Sequence, residues 1–217
     1  MLSALTILAM RIEFVAAAAD RAGRYLVRFE GGSTMRLYRQ TVEDFGLYAG
    51  LELEEEQLSQ LRQAAGAMSA KMRAVRIVAA SNVSKKDLQQ RLVQKGENPQ
   101  QASEAVAWME ELHLVDDEET ARQVVARCVA RGYGVARAKQ ALYEKKIPKE
   151  LWQQALADYP DQTEAITDFL RARLGENADE RALKRATDAL LRRGHSYGEI
   201  RKALNLLRLE PEEFLED

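Results

Sequence analysis

Three segments of the chain align without gaps, and this repetition constrains the fold more than any other feature. Their sequences are ASNVSKKDLQQRL at 80–92, ARGYGVARAKQAL at 130–142 and RRGHSYGEIRKAL at 192–204. Each segment contains a small or turn residue, carries cations and closes on leucine, and a proline follows that leucine six or seven residues later. Self-similarity at this spacing is typical of tandem helical units that pack on their neighbours.

The spacing predicts how the chain is divided. The closing leucines are separated by 50 and then by 62 residues, and the 12 additional residues fit an added helix at 162–174. We therefore predict helical repeats at 70–118, 119–160 and 161–217, preceded by a small domain at 1–69. The expected fold is mainly α, with three tandem three-helix repeats of helix-turn-helix type that form an elongated, curved body.

Residues with defined backbone roles mark the expected helix ends. Ser84 with Asp87, and Ser196 with Glu199, have the spacing of N-terminal capping boxes. Four glycines follow periodic runs, where a left-handed residue closes a helix. These are Gly96, Gly132, Gly175 and Gly194. Prolines suit the first helical turn because no N–H is needed there. The three in such positions are Pro99, Pro148 and Pro211.

The N-terminal 40 residues have a different pattern. Strands are predicted at 25–30 and 34–38 around the Gly31-Gly32 turn, with 7–15 as a possible third strand. A sheet this small is marginal alone, so we expect it to pack on a helix. Thr41 and Asp44 have capping-box spacing for a short helix, and 53–63 predicts a second helix.

Composition favours a helical intracellular protein. Charged residues make up 30% of the 217 residues and aromatic residues only 6%, which suits helices with solvated faces. The single cysteine, Cys128, excludes an internal disulfide. The apolar opening at 1–10 is about half a membrane span and lacks the basic start of a secretory signal. We expect a cytoplasmic protein with no membrane partner, which starts at Met1 or Met10.

Residues that could carry chemistry have structural explanations. The run GGSTM at 31–35 lacks the lysine of a phosphate-binding loop. Asp116 and Asp117 are interpreted as an N-cap and a partner of the helix dipole. His195 is expected to pack or cap at a turn, His113 to end a helix, and Cys128 to be a core thiol. Trp108, Trp152 and Phe169 are expected in the core. We therefore predict no enzyme, no cofactor, no metal and no catalytic residue.

The remaining candidate is a basic surface. Charges are banded: Lys71–Lys95 carries seven bases against Asp87, whereas Glu104–Glu119 carries seven acids and no base. Such bands create local potentials that the net charge of −2 conceals. Cations recur at related places of the three repeats. The candidate binding residues are Lys85, Lys86, Arg91, Lys95, Arg137, Lys139, Lys145, Lys146, Arg192, Arg193, Arg201 and Lys202. Three cationic patches suit a polyanion or a large acidic protein surface.

The order of several motifs resembles the bacterial regulatory family RecX. The relevant segments are RAVRIVAASNVSKKDLQQRLVQKG at 73–96, LVDDEETA at 114–121 and RATDALLRRGHSYGEIRKAL at 185–204. The likeness covers 70–217, and EDFGLYAGLELEEEQL at 43–58 is similar to an extension of longer members. Two departures stand out: Lys146 lies where the family often has glycine, and Ala16–Ala19 has no counterpart.

The resemblance implies a modulator of the RecA recombinase that is not an enzyme. Members have three tandem three-helix repeats and bind the groove of the RecA filament on DNA. Binding hinders filament growth, strand exchange, ATP hydrolysis and the co-protease action that triggers the SOS response. The expected partners are the RecA filament and single- or double-stranded DNA, bound by a monomer. The alternative is a stand-alone DNA-binding module, because helix pairs around Arg-Gly turns also resemble helix-turn-helix units.

Overall fold

A small antiparallel sheet precedes the helices. The computed structural model describes residues 9–18, 20, 22–174 and 179–207. Strands β1 (Met10–Ala17), β2 (Arg24–Phe29), β3 (Thr34–Tyr38) and β4 (Glu52–Leu53) are ordered β3-β2-β1-β4. The predicted glycine hairpin is confirmed, since Gly31 and Gly32 have φ values of 84° and 83°. The third strand is also confirmed at β1, although its predicted start at residues 7 and 8 lies outside the described residues.

The sheet is stabilised by one buried face. Alternation along the strands places Ile12, Val27, Phe29 and Leu37 in a common core. This core also contains Leu58 and Leu61 from the following long helix. The helix therefore covers the sheet as expected for strands that cannot bury enough apolar area by themselves.

The first two helices differ from the sequence prediction. Helix α1 (Arg39–Asp44) begins before Thr41, which is buried inside it and does not cap it; the predicted capping box is wrong. Helix α2 (Glu55–Ala80) is continuous, whereas the sequence predicts a helix over 53–63 and new helices from 70. Gly66 in its middle is tolerated because the side chain of Gln101 lies against it, where a β-carbon would overlap.

The rest of the described chain is helical, so the mainly α fold with an N-terminal sheet is confirmed. The further helices are α3 (Lys85–Gln94), α4 (Pro99–Glu111), α5 (Asp117–Ala130), α6 (Val135–Glu144), a 3-10 turn (Lys149–Leu151), α7 (Trp152–Ala155), α8 (Thr163–Arg173), α9 (Glu180–Arg192) and α10 (Tyr197–Leu206). Helix α8 is the predicted additional helix. These helices belong to two compact units.

The first unit contains the described residues up to Ser81 and Leu88–Leu114. In it, α4 packs along α2, and Arg73 of α2 forms an ion pair of 2.5 Å with the buried Glu97. The second unit contains Asn82–Asp87 and the described residues from Val115 onward. Its cores include Val124, Val125 and Leu142 around α5 and α6, and a second cluster around α8, α9 and α10.

The predicted helix ends are largely confirmed. Gly96, Gly132 and Gly194 have φ values of 90°, 60° and 87°, as a left-handed closing residue requires. The Ser196–Glu199 capping box is complete, and the Ser84 hydroxyl accepts a hydrogen bond from the Asp87 amide at 3.1 Å. Pro99 begins α4, and Pro148 directly precedes the 3-10 turn. Gly175 and Pro211 lie outside the described residues.

Within the second unit, the turn after α5 packs directly on the turn after α9. The Gly134 amide donates to the Arg193 carbonyl at 3.0 Å, and the Ala136 amide donates to the Gly194 carbonyl at 3.3 Å. The backbones are so close that a β-carbon on Gly134 would overlap the Gly194 carbonyl group. Two equivalent turns of the repeated segment thus hold each other by backbone hydrogen bonds.

This contact predicts a large effect of adding one methyl group. Gly134→Ala should reduce the free energy of unfolding by about 1–3 kcal/mol, because the overlap is with backbone and cannot be relieved by a rotamer change. Gly134 has a φ of −79°, so the substitution adds no backbone strain of its own. Urea unfolding measures the change.

Gly198→Ala is the matched control. It lies in α10 with only the Ser196 hydroxyl near a built β-carbon, at 3.9 Å, and alanine there should be neutral or stabilising. Equal stability of Gly134→Ala and the wild type would contradict the close turn packing.

Candidate interaction surface

The candidate cations lie on or beside four helices. Helix α3 carries Lys85, Lys86 and Arg91, and Lys95 follows it; α6 carries Arg137 and Lys139 and is followed by Lys145 and Lys146; Arg192 ends α9 and Arg193 follows; α10 carries Arg201 and Lys202. When the three segments are aligned on their closing leucines, Lys139 corresponds to Arg201 and Lys95 to Lys145, and no other two candidate cations share a position. The local contacts, however, divide the cations into two groups.

Lys146 is occupied by an internal ion pair. Its ammonium lies 2.6 Å from a carboxylate oxygen of Asp87, and Asp87 is buried. Lys146 also has a φ of 58°, a left-handed conformation. It occupies the place that Gly96 has after α3, four residues beyond the closing leucine. The lysine found where the family often has glycine therefore keeps the backbone conformation of glycine.

Other contacts hold the segment Asn82–Asp87 within the second unit. The Lys145 ammonium donates to the Asn82 carbonyl at 3.1 Å. The Lys85 amide donates to the Asp117 carboxylate at 2.8 Å. Lys145 and Lys146 thus contribute to the structure of this unit, and Asp117, interpreted from the sequence as a partner of a helix dipole, also binds a distant backbone amide.

Four more cations have internal partners. The Arg193 guanidinium donates to the Arg131 carbonyl at 2.9 Å and lies over the rings of Tyr133 and Phe169. The remaining pairs are Arg137 with Glu144 at 3.1 Å, Lys202 with Asp161 at 2.7 Å, and Arg91 with the Ser81 hydroxyl at 3.4 Å. Hydrogen bonds from Lys202 and Thr163 lower the pKa of Asp161, so this carboxylate is charged at neutral pH.

Five candidate cations are exposed, and their side chains make no hydrogen bond, ion pair or ring contact with the residues that the structure describes. They are Lys86, Lys95, Lys139, Arg192 and Arg201. We call this set the unpaired cations. Lys139 and Arg201 are equivalent, because each stands three residues before the closing leucine of its segment.

Alignment of the repeats misses three further cations. Arg181, Lys184 and Arg185 on α9 are exposed, and within the described part of the chain they also have no partner. Their i, i+3, i+4 spacing places them on one face of the helix. The amphipathic period of α9, whose buried side contains Ala186, Thr187 and Leu190, is the sequence signal that identifies this face.

Residues with reactive side chains have structural positions. Asp116 caps α5 by accepting from the amides of Glu118 and Glu119, as predicted. Cys128 is buried, and burial raises the pKa of its thiol, which disfavours the nucleophilic thiolate. His113 ends α4 in a left-handed conformation with a φ of 55°. Trp108, Trp152 and Phe169 are half-buried. Trp152 and Phe169 pack against the hydrophobic cores of the second unit, as predicted, and the ring of Trp108 lies under Lys71.

His195 packs at the contact between the two turns. It is 4% exposed, and its Nε2 lies 3.0 Å from the Gly132 carbonyl, to which it donates. Burial lowers the pKa of His195 below its ordinary value, so the ring is neutral in the folded protein. The predicted packing role is therefore confirmed.

Two further properties of the described residues concern metal binding and membrane spans. No group of three or more His, Cys, Asp or Glu side chains in that part of the chain is placed to hold a metal ion. None of the described helices combines the length and hydropathy needed to span a bilayer.

Helical segments of related sequence, with cations on their exposed sides, define a helical-repeat protein. A family model described as "RecX, second three-helix domain" matches residues 116–156, which span α5, α6 and α7. The chain is 31% identical over 134 residues to regulatory protein RecX of Xanthomonas axonopodis pv. citri; the alignment covers 60% of this chain and 83% of that protein. It is 25% identical over 190 residues to regulatory protein RecX of Caldanaerobacter subterraneus, covering 86% and 95%.

Solved structures share the fold. A crystal structure of regulatory protein RecX has a TM-score of 0.63 at 19% identity and covers 94% of this chain and 100% of that one. RecX from Lactobacillus salivarius has a TM-score of 0.59 at 21% identity, covering 68% and 99%. These solved structures show the fold, and the relative from Xanthomonas axonopodis establishes that the chain belongs to the RecX family of regulatory proteins.

The contacts of Lys146 and Lys202 predict unequal effects of the same substitution. Lys146→Met should reduce the free energy of unfolding by about 1–3 kcal/mol, because it leaves the buried Asp87 carboxylate without its ammonium. Methionine keeps the unbranched stem, so the cost of the left-handed backbone is unchanged. Chemical denaturation at neutral pH measures the difference.

Lys202→Met is the matched control. Both members of the Lys202–Asp161 pair are 60% exposed, and an exposed pair of this kind contributes little. Equal losses for the two variants would contradict the structural role assigned to Lys146.

Proposed function

We propose that this protein regulates DNA recombination and repair by binding in the groove of the RecA filament on DNA. In this proposal, binding inhibits the recombinase, ATPase and co-protease activities of RecA. Membership of the RecX family supports RecA as the partner, through the properties that the sequence resemblance implies. The unpaired cations are proposed as contact residues. Their side chains have no partner among the described residues, so no internal contact there has to be broken before a ligand binds.

The observation that carries the proposal is the equivalence of Lys139 and Arg201. Both are exposed, lie at the same position of repeated helices and have no partner among the described residues. Like charges that recur along repeats suit a ligand that itself repeats, as a nucleoprotein filament does. Binding of phosphates by such cations releases counterions, so the affinity should fall steeply with added salt.

The mechanism we propose is steric and electrostatic. A chain that occupies the groove competes with the movements of RecA subunits that accompany filament growth and ATP hydrolysis. The charge bands give the surface both signs, and complementary potentials of this kind speed encounter and fix register. The burial of Cys128 and His195 supports action by binding, since neither side chain is accessible to a substrate.

Reversing three of the unpaired cations tests the proposal. Lys86→Glu, Arg192→Glu and Arg201→Glu combined should weaken inhibition of DNA-dependent ATP hydrolysis by RecA by at least about tenfold in half-inhibitory concentration. None of the three side chains has a partner in the described structure, so far-ultraviolet circular dichroism should show unchanged helix content.

A variant with the same change of net charge serves as the control. Arg36→Glu, Arg62→Glu and Arg171→Glu combined alter exposed cations outside the candidate set and should inhibit like the wild type. Equal inhibition by both triple variants would contradict the proposed contact residues. Tight, sequence-selective binding to duplex DNA without RecA, together with no effect on RecA, would instead support a stand-alone DNA-binding module.

A further inference from the structure

Two exposed tyrosines lie one helical turn from unpaired cations. Tyr143 is 64% exposed and follows Lys139 by four residues on α6. Tyr197 is 51% exposed and precedes Arg201 by four residues on α10. Residues four apart on a helix are surface neighbours, with roughly 5–6 Å between their β-carbons. The same combination of ring and cation is thus present on the equivalent helices of two repeats.

Several other aromatic rings are covered by cations of the protein itself. Arg193 lies 5.4 Å from the ring centre of Tyr133 and 5.1 Å from that of Phe169, and Lys71 lies 5.2 Å from that of Trp108. In the described part of the chain, no cation lies over Tyr143 or Tyr197. Their ring faces are therefore available to a ligand, and so are the neighbouring charges.

Helix geometry places each ring and its cation on one side of the helix, one turn apart. In an α-helix the side chains tilt toward the N-terminus. Tyr143 therefore leans back toward Lys139, and Arg201 leans back toward Tyr197. Each pair presents a flat apolar face beside a positive charge.

We propose that Tyr143 and Tyr197 stack on bases of single-stranded nucleic acid whose phosphates are bound by Lys139 and Arg201. Stacking on aromatic side chains, combined with a positive groove along the backbone, is how single strands are bound without sequence preference. A duplex keeps its bases stacked inside, so these rings select the single strand. The inference rests on the proposed function in taking Lys139 and Arg201 as contact residues.

The surroundings of the rings favour nucleic acid over a protein partner. Protein interfaces concentrate affinity in aromatic anchors surrounded by other contacts that exclude water. Tyr143 is followed by Glu144, which is engaged by Arg137 and Gln140, and Tyr197 lies between Ser196 and Gly198. Each exposed ring thus has a polar neighbour along the chain, which suits contact with a single base better than an extended apolar interface.

Binding of the full-length protein to fluorescein-labelled oligothymidine, without RecA, tests this inference by anisotropy over a range of salt. Combined Tyr143→Ala and Tyr197→Ala should weaken binding by at least about fivefold for each ring, with an unchanged salt dependence. The two tyrosine-to-phenylalanine substitutions should retain the wild-type affinity. Combined Lys139→Gln and Arg201→Gln should instead reduce the slope of log K against log salt by about 1.4.

Tyr48→Ala is the matched control. Tyr48 is 60% exposed but has no Lys or Arg within four residues, so its loss should leave binding unchanged. The inference is overturned if the wild type does not bind the oligonucleotide, if the double alanine variant binds as tightly, or if the alanine substitutions weaken duplex binding equally. It is also overturned if they weaken only the effect on RecA, which would make the rings protein contacts.

The two proposals fail separately. The stacking proposal is contradicted by measurements of oligonucleotide binding that contain no RecA. The proposed function is contradicted if the protein does not inhibit ATP hydrolysis by RecA, whether or not it binds free single strands.

Discussion

Backbone hydrogen bonds between the turns that follow α5 and α9 organise the second unit. The Gly134 amide donates to the Arg193 carbonyl, and the space between the two turns accepts no additional carbon at Gly134. Arg193 and His195 complete the contact by donating to the Arg131 and Gly132 carbonyls. Since α6 and α10 begin directly after these turns, the contact also orients the two helices that expose Lys139 and Arg201.

The same contacts determine which cations remain available. Arg193, Lys145 and Lys146 are used to join segments distant in sequence, whereas Lys139 and Arg201 are exposed. A repeated basic pattern therefore has two physical roles in this chain. Some of its members stabilise the unit, and others have no side-chain partner among the described residues and are the ones proposed to contact a polyanionic partner.

Local signals made much of this architecture predictable from sequence. Capping serines, closing glycines and the glycine hairpin depend on contacts within a few residues. Those among the described residues have the predicted hydrogen bonds or positive φ values. The continuous α2 was missed because the repeat spacing places a boundary at residue 70, whereas the helix runs through that point from Glu55 to Ala80. Thr41 was misassigned because burial of its side chain outweighs its tendency to cap.

The candidate surface was less predictable, because it depends on contacts between distant residues. The Lys146–Asp87 pair joins positions 59 residues apart, and sequence spacing cannot show that it removes Lys146 from the available charges. Exposure of Tyr143 and Tyr197 has the same origin. An aromatic residue in an amphipathic helix is usually at least partly buried, and whether its side chain is exposed depends on which other elements pack against that helix.

Chemical acetylation of lysines, read by mass spectrometry with and without RecA filaments on DNA, tests the central claim most directly. The unpaired cations are proposed as the contact residues. It predicts that filaments protect Lys86, Lys95 and Lys139, while the exposed Lys149 outside this set stays as reactive as in the free protein. Full reactivity of Lys139 on the filament, or protection of Lys149 to the same extent, would contradict it.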